Sequence, residues 1–453
     1  MVVSVRVWVC RLLLLAVPAS AAADWPQFRG PTGQGTAPGS DPPITWSETE
    51  NVVWKTATEG RGTSAPIADG SRVYLLASVA TDEVDPTLPP PEEQPKRVFD
   101  ITHPNVVHRY LATAIDFETG RVVWTQELAR RVPPEGTHGD NDFASATPIV
   151  DSGRLYCWLG SAGLSCLDAT TGELIWDRDL GTVRIGASLG EGASPALGDG
   201  TLVVVRDHAG PSSIVAIDAA TGQTIWTRDR DEPNAWATPV IADRDESRRQ
   251  VITAASNRVR SYDLATGETL WEAVGLTGNV TPTPIVFGRR VFCMSGYQGY
   301  AVLALPIDQS GTVRPIWQTD TSAPYVPSPL LLDGLLYVPQ SNRGILSVCR
   351  SSDGQPILDR TRIPGVPQLY ASPVAAVGRV YFVGRSGQTT VVQAIDPDRP
   401  ELRVLARNQL DDRFDASPTI AGDSLILRGE RFVYRLAAPP EVDPAARQHP
   451  TGE

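Results

Sequence analysis

The stretch CLDATTGELIW, residues 166–176, is a unit that this chain repeats. Close copies are AIDFETGRVVW at 114–124, AIDAATGQTIW at 216–226 and SYDLATGETLW at 261–271. Looser ones are PIDQSG at 306–311, running on to Trp317, and AIDPDRP at 394–400. Each reads as strand, tight turn, strand. Asp168 can accept N–H bonds from its own turn, and Gly172 supplies the positive φ that a Cβ would resist. Trp176 then presents a large apolar face to the neighbouring repeat. Repetition assigns these residues to architecture, because a catalytic group is rarely needed several times over. The same reasoning makes Trp54, Trp124, Trp226, Trp271 and Trp317 docking residues.

Outward from this unit, eight segments open with a small residue, a proline and an apolar strand. The prolines are Pro66, Pro148, Pro195, Pro239, Pro284, Pro329, Pro373 and Pro418, at successive spacings of 82, 47, 44, 45, 45, 44 and 45. Four short strands per ~45 residues, with turn residues between them and no helical period, predict the blades of a β-propeller. A solenoid of stacked β-units is the competing architecture, but its repeats are usually shorter. The last unit has three strands and no fourth. NVVWKT at 51–56 is a strand without a preceding partner and places Trp54 where other units place theirs. It can complete the last blade and remove the open edges of a linear array. The expected fold is all-β: an eight-bladed propeller of four-stranded antiparallel blades, closed by an N-terminal strand in the last blade.

Residues 1–23 read as a cleavable secretory signal: Arg6 and Arg11, a short apolar run, then Ala21-Ala22-Ala23. No apolar run in the chain is long enough to cross a membrane as a helix. The propeller is expected over 24–440, opening with the Gly/Pro-rich arm DWPQFRGPTGQGTAPGS, and a disordered tail over 441–453. The net charge is −12, and removal of Arg6 and Arg11 takes it to −14. Without a basic cluster, nucleic acid is not an expected partner. The spacing of 82 marks an insertion at 79–106 in blade 1, whose PPPEE run leaves it either functional or disordered.

Cys157 and Cys166 flank a hairpin turn at 160–163. A two-residue turn sets them face to face in a geometry compatible with a disulfide; a three-residue turn with Gly163 left-handed removes the contact. No CxxC, P-loop or HExxH pattern occurs. His138, with Asp140, Asn141 and Asp142, is a candidate carboxylate or metal cluster, set against a solvated polar loop. The loops entering the innermost strands converge on the mouth of a propeller's channel. Here they carry Arg61, Phe143, Arg184, Trp236, Asn279, Tyr325, Tyr370 and Phe414. Aromatic faces with a few polar groups suit a small ligand, a sugar or an extended peptide. The alternative is that they plug the channel or pack under their own loops.

The AxDxxTGxxxW units resemble the tryptophan-docking repeat of the quinoprotein dehydrogenase superfamily. The whole pattern is similar to the pyrroloquinoline-quinone-like β-propeller family that includes the B subunit of the outer-membrane β-barrel assembly machine. The resemblance covers about residues 24–438. It implies that each Trp packs across a blade interface, with Leu358 and Val404 standing where Trp would be in blades 6 and 7. Quinone-dependent dehydrogenases of the superfamily use Ca²⁺, a catalytic Asp and often adjacent cysteines; this sequence has no adjacent cysteine pair and no haem-attachment motif. The expectation is therefore a non-catalytic exported scaffold in the bacterial cell envelope, monomeric and without cofactor. It would hold an envelope protein or a small ligand at its loop-rich face. The alternative is an oxidoreductase using pyrroloquinoline quinone with Ca²⁺, or another small-ligand enzyme working in the funnel.

Overall fold

A computed structural model describes residues 24–95 and 98–439. The expected signal at 1–23 and tail at 441–453 lie outside these residues. Eight antiparallel sheets are arranged as the blades of a propeller. Blade 2 is representative, with strands Ile149–Asp151, Arg154–Trp158, Leu164–Asp168 and Leu174–Arg178 in that order from the innermost. The eighth blade combines Thr419–Ala421, Ser424–Arg428 and Phe432–Leu436 with Val52–Ala57 from the other end of the chain. Val52–Ala57 pairs antiparallel to Phe432–Leu436, with Trp54 opposite Arg435.

The repeated turns form as their residue types require. Asp168 Oδ1 accepts the N–H groups of Thr170 and Thr171, both at 2.8 Å, and Gly172 has φ +78°. The Trp at the end of each unit covers the turn glycine of the next blade. A Cβ on Gly120 would lie 2.6 Å from Trp54, and one on Gly172 2.7 Å from Trp124. Trp176 over Gly222, Trp226 over Gly267 and Trp317 over Gly354 repeat the contact. Each of these five indole N–H groups donates to a carbonyl of that next turn, at 2.8–3.3 Å.

Two interfaces depart from this scheme. Blade 5 spaces its turn glycine six residues before Trp317 rather than four. The longer segment slides outward, and Gly311–Thr312 pairs parallel to the outer strand of blade 4 as a fifth strand. Trp271 therefore has no glycine beneath it. It is fully buried between blades 4 and 5 and donates to Gln250 Oε1 at 3.0 Å within its own blade. In blade 7 the bulge register places Ala406, not Val404, at the Trp position: Val391 faces Ala406 as Ala216 faces Trp226 in blade 3. The missing ring is supplied from the N-terminal arm. Trp46 stacks on Tyr381 with centroids 6.5 Å apart, inside the cluster that joins blades 7 and 8. In blade 6, Leu358 does hold the Trp position, opposite Val348.

The cysteine expectation is decided by the turn. Leu159 N–H bonds to Gly163 carbonyl across a 3₁₀ turn, which sets Cys157 opposite Ser165 and Cys166 opposite Tyr156. The two thiols do not face each other, and both are free and buried. Among the described residues, no helix is long and apolar enough to cross a membrane.

Inside the ring, the residue before each blade's proline is Ser or Thr in every blade except the first, which has Ala65. These hydroxyls hold neighbouring blades together. Ala65 N–H donates to Thr147 Oγ1, Thr147 N–H to Ser194 Oγ, and Ser194 N–H to Thr238 Oγ1. On the other side, Thr283 N–H donates to Ser328 Oγ, Ser328 N–H to Ser372 Oγ, and Ser372 N–H to Ser417 Oγ. All six bonds are 2.9–3.1 Å long. A backbone donor that would be costly to bury alone is thus satisfied at each step.

Candidate functional site

The hydroxyl ring is the wall of an open cavity of about 390 Å³ at the mouth of the channel. Its floor comes from the N-terminal arm. Trp25 pairs with Ala68 in blade 1, and Pro26 carbonyl accepts Val150 N–H in blade 2. Farther along, Gln34 donates to Val286 carbonyl in blade 5, and Ala37 N–H to Ala375 carbonyl in blade 7. The arm therefore crosses the channel. Arg29, 2% exposed, fastens it by donating to the carbonyls of Pro373 (2.5 Å), Pro329 (2.6 Å) and Gln34 (3.0 Å). Burial with no carboxylate partner brings the Arg29 guanidinium down to about 9. Its neighbour Phe28 faces the cavity as the floor.

Of the eight residues expected at the mouth, Trp236, Asn279, Tyr325 and Tyr370 line the cavity. The other four do not. Arg61 is bridged to Ser78 and lies 3.7 Å from Glu430 at the outer rim. Phe143 packs edge-on against His108, with centroids 5.0 Å apart. Arg184 is exposed. Phe414 is buried against Tyr434 in the core between blades 7 and 8. Position before the proline identified the loops, but loop conformation decided which side chains turn inward.

The cavity also recruits residues that the sequence did not single out. Tyr297, from the turn between the second and third strands of blade 5, stacks on Tyr325 with centroids 5.0 Å apart and planes at 29°. Asn342 and Asp415 complete the wall. The blade 1 insertion contributes Phe99. Strands Arg72–Val84 and Val106–Asp116 extend the hairpin, and the segment between them folds back over the mouth. Gln94 clamps it, bonding His103 N–H and carbonyl and Pro89 carbonyl. Phe99 meets the His138 ring edge-on at 5.2 Å. Sequence composition pointed both to disorder and to function in this loop; placement over the mouth depends on contacts with residues far away in the chain.

The charged side of the mouth centres on Asp140. Its carboxylate accepts from Arg385 (2.5 Å) and Arg413 (3.3 Å) on one oxygen and from the Tyr370 hydroxyl (2.9 Å) on the other. Arg385 and Arg413 also pair with Asp415, at 2.8 and 3.0 Å, and Arg385 lies 3.9 Å from the centre of the Tyr370 ring. Burial alone would raise the Asp140 carboxyl, but the Arg385 and Tyr370 bonds outweigh it and hold it below the ordinary carboxylate range. His138 Nδ1 lies 3.8 Å from Asp140 and accepts its N–H. Asp142 turns away: it is buried, and its Oδ1 accepts Ala144 N–H. The metal or carboxylate cluster considered at 138–142 is therefore an ion-paired network. No group of three His, Cys, Asp or Glu side chains among the described residues converges as metal ligands would.

Comparison with known proteins follows the same lines. The family described as outer membrane protein assembly factor BamB matches residues 108–360. Assembly factors of that name from Salmonella typhimurium and Yersinia pestis are each 28% identical over 72 residues. Those matches cover 16% of this chain and 18% of the relatives' length. Among solved structures, BamB from Moraxella catarrhalis superposes with a TM-score of 0.52 at 15% identity, over 80% of this chain and 99% of that one. Quinohemoprotein alcohol dehydrogenase from Comamonas testosteroni gives 0.63 at 12% identity, over 94% and 82%. At such identities these structures speak for the fold alone. With eight blades closed as a ring and a family match that spans more than half of its length, the chain belongs to the BamB family of pyrroloquinoline-quinone-like propellers.

Proposed function

We propose that this protein is a non-catalytic binding scaffold of the bacterial cell envelope, exported by the leader at 1–23, with its partner held at the loop-rich face around the funnel. The observation that carries the reading is the asymmetry of the channel. One end is an open mouth with aromatic walls, and the arm closes it from beneath. With the arm laid across it and Phe28 beneath the mouth, the channel reads as a receptacle. The family's printed description, an outer membrane protein assembly factor, supports an envelope setting.

The alternative, an oxidoreductase using pyrroloquinoline quinone held by Ca²⁺, needs free oxygen ligands converging on one point. The mouth's two carboxylates, Asp140 and Asp415, are both committed to Arg385 and Arg413. That donor set does not fit the Ca²⁺-held group and favours the scaffold. The test is cross-linking in an envelope extract, comparing the natural chain with Trp236→Ala/Tyr325→Ala and with a chain whose segment 85–105 is replaced by a short turn. Loss of the cross-linked partners in either variant is expected. The same partners at the same yield in both would remove this face from the proposal. Dye reduction by an alcohol after adding pyrroloquinoline quinone and Ca²⁺ would replace the scaffold with the enzyme.

A further inference from the structure

The structure assigns the funnel a ligand class: a neutral, polyhydroxylated ring compound, that is, a saccharide. This rests on the binding reading above and concerns the occupant of the same cavity.

Three properties of the wall converge on that chemistry. The first is its supply of uncharged donors. Thr147, Ser194, Thr238, Ser328, Ser372 and Ser417 all face the cavity. Each hydroxyl accepts a backbone N–H from the neighbouring blade. Accepting that bond leaves the hydroxyl its own proton to donate. The result is a ring of O–H donors fixed in position by the fold, matched to an occupant rich in hydroxyl oxygens.

The second property is aromatic area. Trp236 and the stacked Tyr297–Tyr325 pair stand on the wall above Phe28. Their negative ring faces attract the weakly positive C–H groups on the apolar side of a pyranose. At about 390 Å³ the cavity falls in the range of small-ligand sites, roughly 300–1,000 Å³.

The third property is charge. Arg385 and Arg413 are held by Asp140 and Asp415, so an anion entering the mouth meets two carboxylates and cations already committed. A cation would have to displace the arginines. An extended peptide is disfavoured on other grounds: six of the pre-proline backbone N–H groups at the ring are already bonded to neighbouring hydroxyls and are not free to pair with a peptide backbone.

The test is titration of the full mature chain with maltotriose, cellotriose and chitotriose, followed by tryptophan fluorescence and by saturation-transfer NMR. At least one trisaccharide is expected to bind saturably, with an affinity that hardly changes with salt because no ion pair forms. Trp236→Ala and Tyr325→Ala should each weaken it about tenfold or more, and Tyr325→Phe, which keeps the ring, should restore it. The inference is overturned if none of the three binds. It is also overturned if binding survives both alanine variants in folded protein, or if pyrroloquinoline quinone binds instead with steep salt dependence. Envelope cross-linking that stays intact while the sugars fail would sink the ligand class and leave the scaffold standing.

Discussion

The indole of Trp176 covers Gly222 of the next blade so closely that a Cβ on the glycine would lie 2.8 Å from the ring. Gly222 also holds φ +72°, a conformation that side chains resist. Gly222→Ala should therefore destabilise the propeller by about 1–3 kcal/mol through strain and displacement of the indole. Trp176 is only partly buried, so Trp176→Ala should cost about 2–3 kcal/mol. Because the two residues share one contact, the double variant should cost less than the two single losses together. Denaturant unfolding of the four proteins checks this, and strict additivity would mean that the ring and the glycine do not depend on each other.

Trp271 lacks the glycine seat but is wholly buried. Trp271→Ala should cost about 3–5 kcal/mol, more than Trp176→Ala. It also leaves Gln250 Oε1 without its indole donor, although Ser261 still donates to it. Melting temperatures of the two variants, measured side by side, decide the ranking.

The hydroxyl ring yields a pair of opposite expectations. Ser372→Ala leaves the buried Ser328 N–H without an acceptor and should destabilise by about 1–3 kcal/mol. Ala65→Ser adds a hydroxyl at the one pre-proline position that lacks it, and should gain about 0.5–1 kcal/mol by giving Ser417 N–H an acceptor. Unfolding curves of both variants test the relay; a gain from Ser372→Ala would contradict it.

Glu191 predicts a pH dependence. Burial pushes its carboxyl up from 4.5 to about 7, against the bonds from Ser161, with the charge of Glu135 adding to the rise. The folded protein keeps a proton that the unfolded chain releases earlier. This contribution to stability is full below about pH 4.5 and is lost as pH rises to about 7. Glu191→Gln should remove that slope, gaining on natural protein by about 2–3 kcal/mol across the window. Parallel stability–pH curves for the two proteins would refute it.

The arm makes the last prediction. Arg29 is its buried fastener, and Arg29→Ala leaves the carbonyls of Pro329 and Pro373 without that donor. Limited proteolysis should then cut within residues 24–50 much faster than in the natural chain, while the blades stay protected. Equal cleavage rates would show that other contacts hold the floor in place.

The sequence by itself determined the ring. Turn aspartate, positive-φ glycine and interface tryptophan are local demands, repeated at a spacing that suits four-stranded blades, and the unpartnered strand at 51–56 declared how the circle closes. It also located the loops at the mouth, because each runs into the proline that opens a blade. Tertiary structure decided what those loops contain. Phe414 turned into the core, Arg61 and Arg184 turned outward, and Tyr297 arrived from a different turn, since neither burial nor direction is encoded by position alone. Phe28, Phe99, Trp46 and Arg29 come from segments without periodicity, and their places are set by residues up to 362 positions away. Asp140 looked like half of a metal site until its arginine partners, more than 200 residues along the chain, were beside it. Charge pairing depends on proximity in space, and only the closed ring brings those groups together.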